Sequence, residues 1–274
     1  MKEITLREAQ LLELQILLSF AAYCDKHHLT WFIAYGTLLG AVRHGGFIPW
    51  DDDIDVWMPR EDYNKLIASF NENKETAHYR LIAPLDPVSR HSFVKIIDER
   101  TVKTETNFDY APGDLGIDID VFPLDGQPDE EEAFWSWFKK LEKCYQKADF
   151  PVRIKHDCRR KRLILGLINA LGGKRHRLGT WIKNHYLKKA LRLHAKYPYR
   201  GSGFVGMVEH GFGCHRQRYD AKLFESSTLL RFEGHLLKAP KDYDAVLRQA
   251  YGNYMTPPPE SERQGHFIDH AYWK

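Results

Sequence analysis

Residues 34–59 read AYGTLLGAVRHGGFIPWDDDIDVWMP, and no other stretch restricts the fold so strongly. Asp51, Asp52, Asp53 and Asp55 follow directly on an apolar, glycine-rich approach. Carboxylates this close repel one another and gain nothing by packing, so a fold that gathers them needs a positive partner. The pattern also has a period. In DIDVWM (53–58) acids alternate with apolar residues as in a half-buried strand, which puts Asp53 and Asp55 on one face and turns Ile54 and Val56 to the core.

Two such carboxylates, ~6.5 to 7 Å apart along a strand, share a site for a divalent cation. All-oxygen ligands suit Mg²⁺ or Mn²⁺, which also take substrate phosphates. A third carboxylate is at hand in GIDIDVF (116–122), where Asp118 and Asp120 again alternate with apolar residues. Calcium fits less well, because Asp51, Asp53 and Asp55 match the first liganding positions of an EF-hand but Val56 stands where glycine is required. A solvated acidic loop would not need Ile54 and Val56 between its acids.

Around this motif the sequence reads as an α+β domain. Thr5 and Glu8 form a capping box that opens an amphipathic helix over about residues 6–27. That helix resembles an export signal only superficially, since Glu13 and Gln15 break its apolar run. WFIAY (31–35) is expected to be a strand ending at Gly36, followed by a short helix over TLLGAVRH. Residues 60–73 carry helical spacing, and 92–97, 101–106 and 116–122 are further strand candidates. The second half reads as a helix from about Asp129, two basic helices over 155–171 and 176–196, short strands near 204–208 and 230–237, and a helix at 243–251. Phe134, Trp135, Trp137 and Phe138 read as core.

A glycine followed by a hydroxyl at a helix start, as in YGTLLG, lets backbone N–H groups approach a phosphate closely. Gly36 and Thr37 are therefore expected to cradle a substrate phosphate, with Arg43 reaching it from the same helix. Lys95, set among apolar strand residues, needs an anion, and a phosphate is favoured over an internal ion pair. Trp50 reads as a packing residue. His210, Cys214 and His215 lack zinc spacing, and four scattered cysteines signal neither a metal ribbon nor a disulfide framework, which fits a reducing cytoplasm.

Glycine, Ser or Thr, then Asp-apolar-Asp-apolar is the pattern of the nucleotidyltransferase fold. Together with FVKIIDERT, IDIDVFPLDG and YGNYMTPPP, the 34–59 motif resembles the LicD family, which includes phosphocholine transferases and is related to the fukutin-related sugar-phosphate transferases. The resemblance implies a nucleotidyltransferase-like core of mixed sheet flanked by helices over residues 1–127, a basic helical insertion over 128–200, and a segment over 201–274 completing the core. It implies transfer of a phospho-alcohol, phosphocholine by preference, from a CDP-activated donor to a hydroxyl of a cell-surface glycan such as lipopolysaccharide, teichoic acid or capsule. Asp53 and Asp55 would hold Mg²⁺ or Mn²⁺. Asp120 would be the third ligand or the base that takes the acceptor's proton, Asp118 an additional acid, and His266 a residue near the substrate.

The same carboxylates would serve a nucleotidyltransferase that uses a nucleoside triphosphate and releases pyrophosphate. A non-catalytic glycan- or metal-binding module is the remaining alternative. The basic run from Arg153 to Lys196 rests on anionic headgroups at the inner face of the membrane, where a lipid-linked glycan would be met, binds an anionic glycan directly, or is a solvated face. A net charge of +3 and the lack of a reader motif argue against nucleic acid.

Overall fold

The computed structural model describes residues 2–73, 78–104, 115–149, 174–208, 217–263 and 270–274. Helix α1 (Leu6–Lys26) opens with both halves of the capping box: Thr5 Oγ1 accepts the Glu8 N–H and the Glu8 carboxylate accepts the Thr5 N–H. Its buried stripe runs through Ala9, Glu13, Ile16, Leu17, Phe20 and Cys24, and α1 packs across the central strands.

Those strands form a mixed sheet, in keeping with the expected α+β class. They are β1 (Phe32–Ile33), β2 (Asp55–Pro59), β3 (Tyr79–Ile82), β4 (Val94–Asp98) and β6 (Asp118–Gln127), in the order β1-β2-β6-β4-β3. Only β2 and β6 run parallel among these pairs. Strand β7 (Phe204–Gly206) pairs with the far end of β6, and β8 (Tyr219–Asp220) with β7. The chain after residue 200 thus extends the same sheet. Strand β5 (Thr101–Thr104) pairs instead with β11 (His270–Trp273).

Helix α2 (Tyr35–Arg43) leaves β1 immediately, and α3 (Arg60–Ser69) leaves β2. The strand expected over 31–35 is therefore two residues long, and Gly36 and Thr37 lie inside the first turn of α2. The strand expected from Asp53 begins at Asp55, because β1 pairs as far as Ile33 opposite Val56 before the chain turns into α2. The single strand expected near 230–237 is a hairpin, β9 (Ser227–Phe232) with β10 (His235–Pro240). Its turn residues Glu233 and Gly234 have φ of 49° and 85°, the double left-handed conformation that suits twisted strands. Glu233 then holds the glycine loop ahead of the acids, accepting the Phe47 N–H and a 2.6 Å contact from Arg7.

Helices α4 (Glu131–Asp149) and α5 (Lys174–His194) pack together over a second core that contains Phe134, Trp137, Leu141 and Leu187. They join the sheet through Asp125, which receives a bidentate fork from Arg60 at 2.6 and 2.7 Å. His194 Nδ1 stands 3.1 Å from Asp125 as well, and its Nε2 is 2.9 Å from the Tyr145 hydroxyl. Helix α6 (Tyr243–Tyr251) follows the hairpin. The helix expected over 155–171, most of the basic run, His210, Cys214, His215 and His266 lie outside the described residues.

Candidate active site

Period-two geometry and the β2–β6 register build the site. Asp55 stands opposite Asp120 in the parallel ladder, and Asp120 stands opposite Lys95 on β4. Paired residues share a face, so one row across three strands reads Asp55, Asp120, Lys95. Asp118, two residues before Asp120, lies on that face too. Lys95 Nζ reaches Asp118 at 2.5 Å and Asp120 at 2.6 Å, and Lys103 Nζ reaches the other oxygen of Asp118 at 2.7 Å. Lys95 thus meets the anion that its burial demands within the protein itself, and Asp118 is clamped between two ammonium groups.

The approach to the row is equally constrained. Thr37 Oγ1 accepts the Asp55 N–H at 2.8 Å, which fixes where β2 starts. A Cβ on Gly36 would stand 2.6 Å from Asp51 Oδ2, and one on Gly40 would stand 2.4 Å from the Gly46 carbonyl. Both glycines therefore let the acid-bearing loop lie against α2. Gln10 of α1 donates to the Asp51 carbonyl at 2.8 Å. In this arrangement Gly36 and Thr37 position the acids, and Arg43 donates to the Tyr254 carbonyl at 3.0 Å.

The electrostatics follow from burial. Burial first, then Asp53, Asp120 and Asp51, pushes the Asp55 carboxyl well above the usual range. Asp120 is raised by burial against the pull of Lys95. Glu13 of α1 is fully buried and held far above its ordinary value, mainly by burial; Lys103 opposes this, while Asp118, Asp53 and Asp52 add to it. Neither of its oxygens meets a hydrogen-bond donor among the described residues. The spacing of α1 contained that signal, since position 13 lies on the helix's apolar stripe.

Seven carboxyl groups, those of Glu13, Asp51, Asp52, Asp53, Asp55, Asp118 and Asp120, converge here around Lys95 and Lys103. The side chains offer only oxygen as ligand atoms, and neighbouring acids add to the rise that burial gives Glu13, Asp55 and Asp120. Among the described residues no three acid, histidine or cysteine side chains are close enough to enclose an ion by themselves.

Comparison with known proteins bears on the same residues. A family model described as the nucleotidyltransferase domain of LicD, FKTN and FKRP matches residues 28–154, which hold the whole acid row. A Haemophilus influenzae protein named lipopolysaccharide cholinephosphotransferase LicD is 31% identical over 277 residues, covering 99% of each chain. An uncharacterized Rickettsia typhi protein is 34% identical over 103 residues, 36% of this chain and 33% of its own. No described helix is long and apolar enough to cross a membrane.

Proposed function

The chain belongs to the LicD family, and on that premise we propose that it is a phosphotransferase that moves phosphocholine from CDP-choline to a hydroxyl of a cell-surface glycan, lipopolysaccharide foremost, with Mg²⁺ or Mn²⁺ as cofactor. The observation that supports this most is the register of Asp55 against Asp120, which joins the two acidic motifs in one buried row. The Haemophilus relative carries the substrate class.

In this reading Asp53 and Asp55 hold the metal, with Asp120 beside them. When bound, such an ion would supply charge neutralisation at the phosphoryl oxygens. The acceptor oxygen forms a new bond to the phosphocholine phosphorus while the bond from that phosphorus to the bridging oxygen breaks, and CMP leaves with the bridging oxygen. Asp120 takes the acceptor's proton. Lys95 keeps Asp120 in place through Oδ1 and supplies fixed positive charge in a low-dielectric setting, where preorganised charge is most effective. Lys103 and Lys95 together hold Asp118 in its clamp.

The test is CMP release from CDP-choline with lipopolysaccharide as acceptor, with Mg²⁺ and with EDTA. Metal-dependent CMP release matched by choline incorporation is expected. Pyrophosphate release from a nucleoside triphosphate, with CDP-choline inert, would assign the site to nucleotidyl transfer instead.

A further inference from the structure

Beside the acids lies a cluster of opposite sign. Arg43, at the end of α2, places Nε 3.5 Å from His44 Nδ1, and the His44 ring meets Trp50 edge-on with centroids 6.4 Å apart. The guanidinium of Arg263 lies 5.0 Å from the Trp50 ring centroid, within the range of cation–π attraction. Arg263 donates from Nε to the Pro258 carbonyl at 3.0 Å, and the exposed Glu260 carboxylate lies 3.6 Å from it. Arg43, partly buried, donates to a carbonyl. Arg263 thus lies against the indole directly and Arg43 approaches it through His44, two guanidiniums from distant parts of the chain that act on each other and are anchored mainly by neutral groups.

Like charges brought together need an anion to offset their repulsion. Burial, and then Arg263, hold the Arg43 guanidinium below its ordinary value. The position is informative too, because Trp50 directly precedes Asp51. Tyr251 stands near both clusters: the residue is 43% exposed overall, yet its phenol is raised by local desolvation and then by Asp55, Tyr219, Asp51 and Asp53, and it also acts on Arg43. The cationic cluster is thus next to the acids in the chain, through Trp50 and Asp51, and close to them in space, through Tyr251.

We propose that Arg43 and Arg263, beside Trp50, form an anion site for the diphosphate of a nucleotide donor, distinct from the carboxylates that would hold the metal. Guanidinium forks match phosphate oxygens in pairs, and this pair would receive the negative charge that the departing nucleotide gains when the phosphoanhydride bond breaks. Arg263 becomes a binding residue from a part of the chain far from the acidic motifs. The inference rests on the acid row being a phosphoryl-transfer centre, but its test does not require turnover.

The test is calorimetric titration with CDP, cytidine, pyrophosphate and glucose 1-phosphate, in EDTA, of the wild type and of Arg263→Gln, Arg263→Lys and Asp53→Asn. Circular dichroism melts confirm that each variant is folded. Arg263→Gln is expected to weaken CDP and pyrophosphate at least ~10-fold, Arg263→Lys by less, and Asp53→Asn not at all, with cytidine unaffected throughout. Unchanged CDP affinity in folded Arg263→Gln would overturn the site. A loss confined to glucose 1-phosphate would overturn the donor assignment. Arg263-dependent CDP binding in a protein that releases no CMP from CDP-choline would refute the reaction above and leave this site standing.

Discussion

Asp55 on β2 and Asp120 on β6 occupy paired positions in a parallel ladder that also pairs Val56 with Val121 and Trp57 with Phe122. A one-residue slip of either strand would part the two acids and turn that strand's apolar set to the wrong face. The core packing of Val56 and Val121, both fully buried, thereby enforces a repulsive carboxylate contact.

Asp55→Asn removes a charge from that contact while keeping the side chain's shape. Turnover is expected to fall at least ~1,000-fold, as for loss of a group that stabilises the transition state directly. In EDTA the melting temperature should equal or slightly exceed that of the wild type, because a repulsive buried group has been neutralised. A variant that turns over normally would remove Asp55 from the mechanism.

Thr37 is expected to act through Asp55 rather than on the substrate. Thr37→Val leaves the buried Asp55 N–H without its acceptor and should destabilise the fold by about 1–3 kcal/mol. Thr37→Ser should restore stability and kcat together. Urea unfolding read beside kcat distinguishes this from a phosphate contact, for which Thr37→Val would raise KM at unchanged stability.

Lys95→Met would leave Asp118 and Asp120 facing each other without their shared ammonium group, a loss of about 3–5 kcal/mol for breaking a buried pair. Adding Asp118→Asn to Lys95→Met is expected to recover part of that loss in urea unfolding. A cost no larger than that of a surface ion pair, under ~1 kcal/mol, would show that the lysine is dispensable to the fold.

The acids were legible in the sequence because strand alternation shows locally, and DIDV and DIDVF announce themselves. Which strands lie side by side does not show locally, so the pairing of Asp55 with Asp120 came from tertiary register. Lys95 reads from sequence as a buried cation in need of an anion, but its partner is hidden there because Asp118 and Asp120 join it through the sheet. Glu13 stood on the apolar stripe of α1 from the start, a visible signal of a buried acid. The β9–β10 hairpin was obscured because Glu233-Gly234 lacks the usual Asn-Gly or Asp-Gly signature, and β3 because an edge strand beside Pro84 carries little pattern of its own.

His194 offers a pH test away from the site. Burial lowers its pKa to about 4 despite the nearby Asp125 carboxylate, so the imidazole is neutral in the folded protein. The unfolded chain binds a proton near pH ~6.5. Between the two values the unfolded state holds more protons, so this group's contribution is full above about pH 6.5 and declines as pH falls toward 4. Urea midpoints are expected to show the wild type losing roughly 2 kcal/mol more than His194→Gln between pH 7 and pH 5. Parallel profiles would mean that the histidine is protonated in the fold.

The most direct measurement is Mn²⁺ titration of the wild type, Asp53→Asn and Asp55→Asn, followed by electron paramagnetic resonance of the free ion. Saturable binding by the wild type, lost in both variants although they remain folded, is the expected result. Wild-type Mn²⁺ affinity retained in both variants would contradict the assignment of the acid row as the metal-bearing centre.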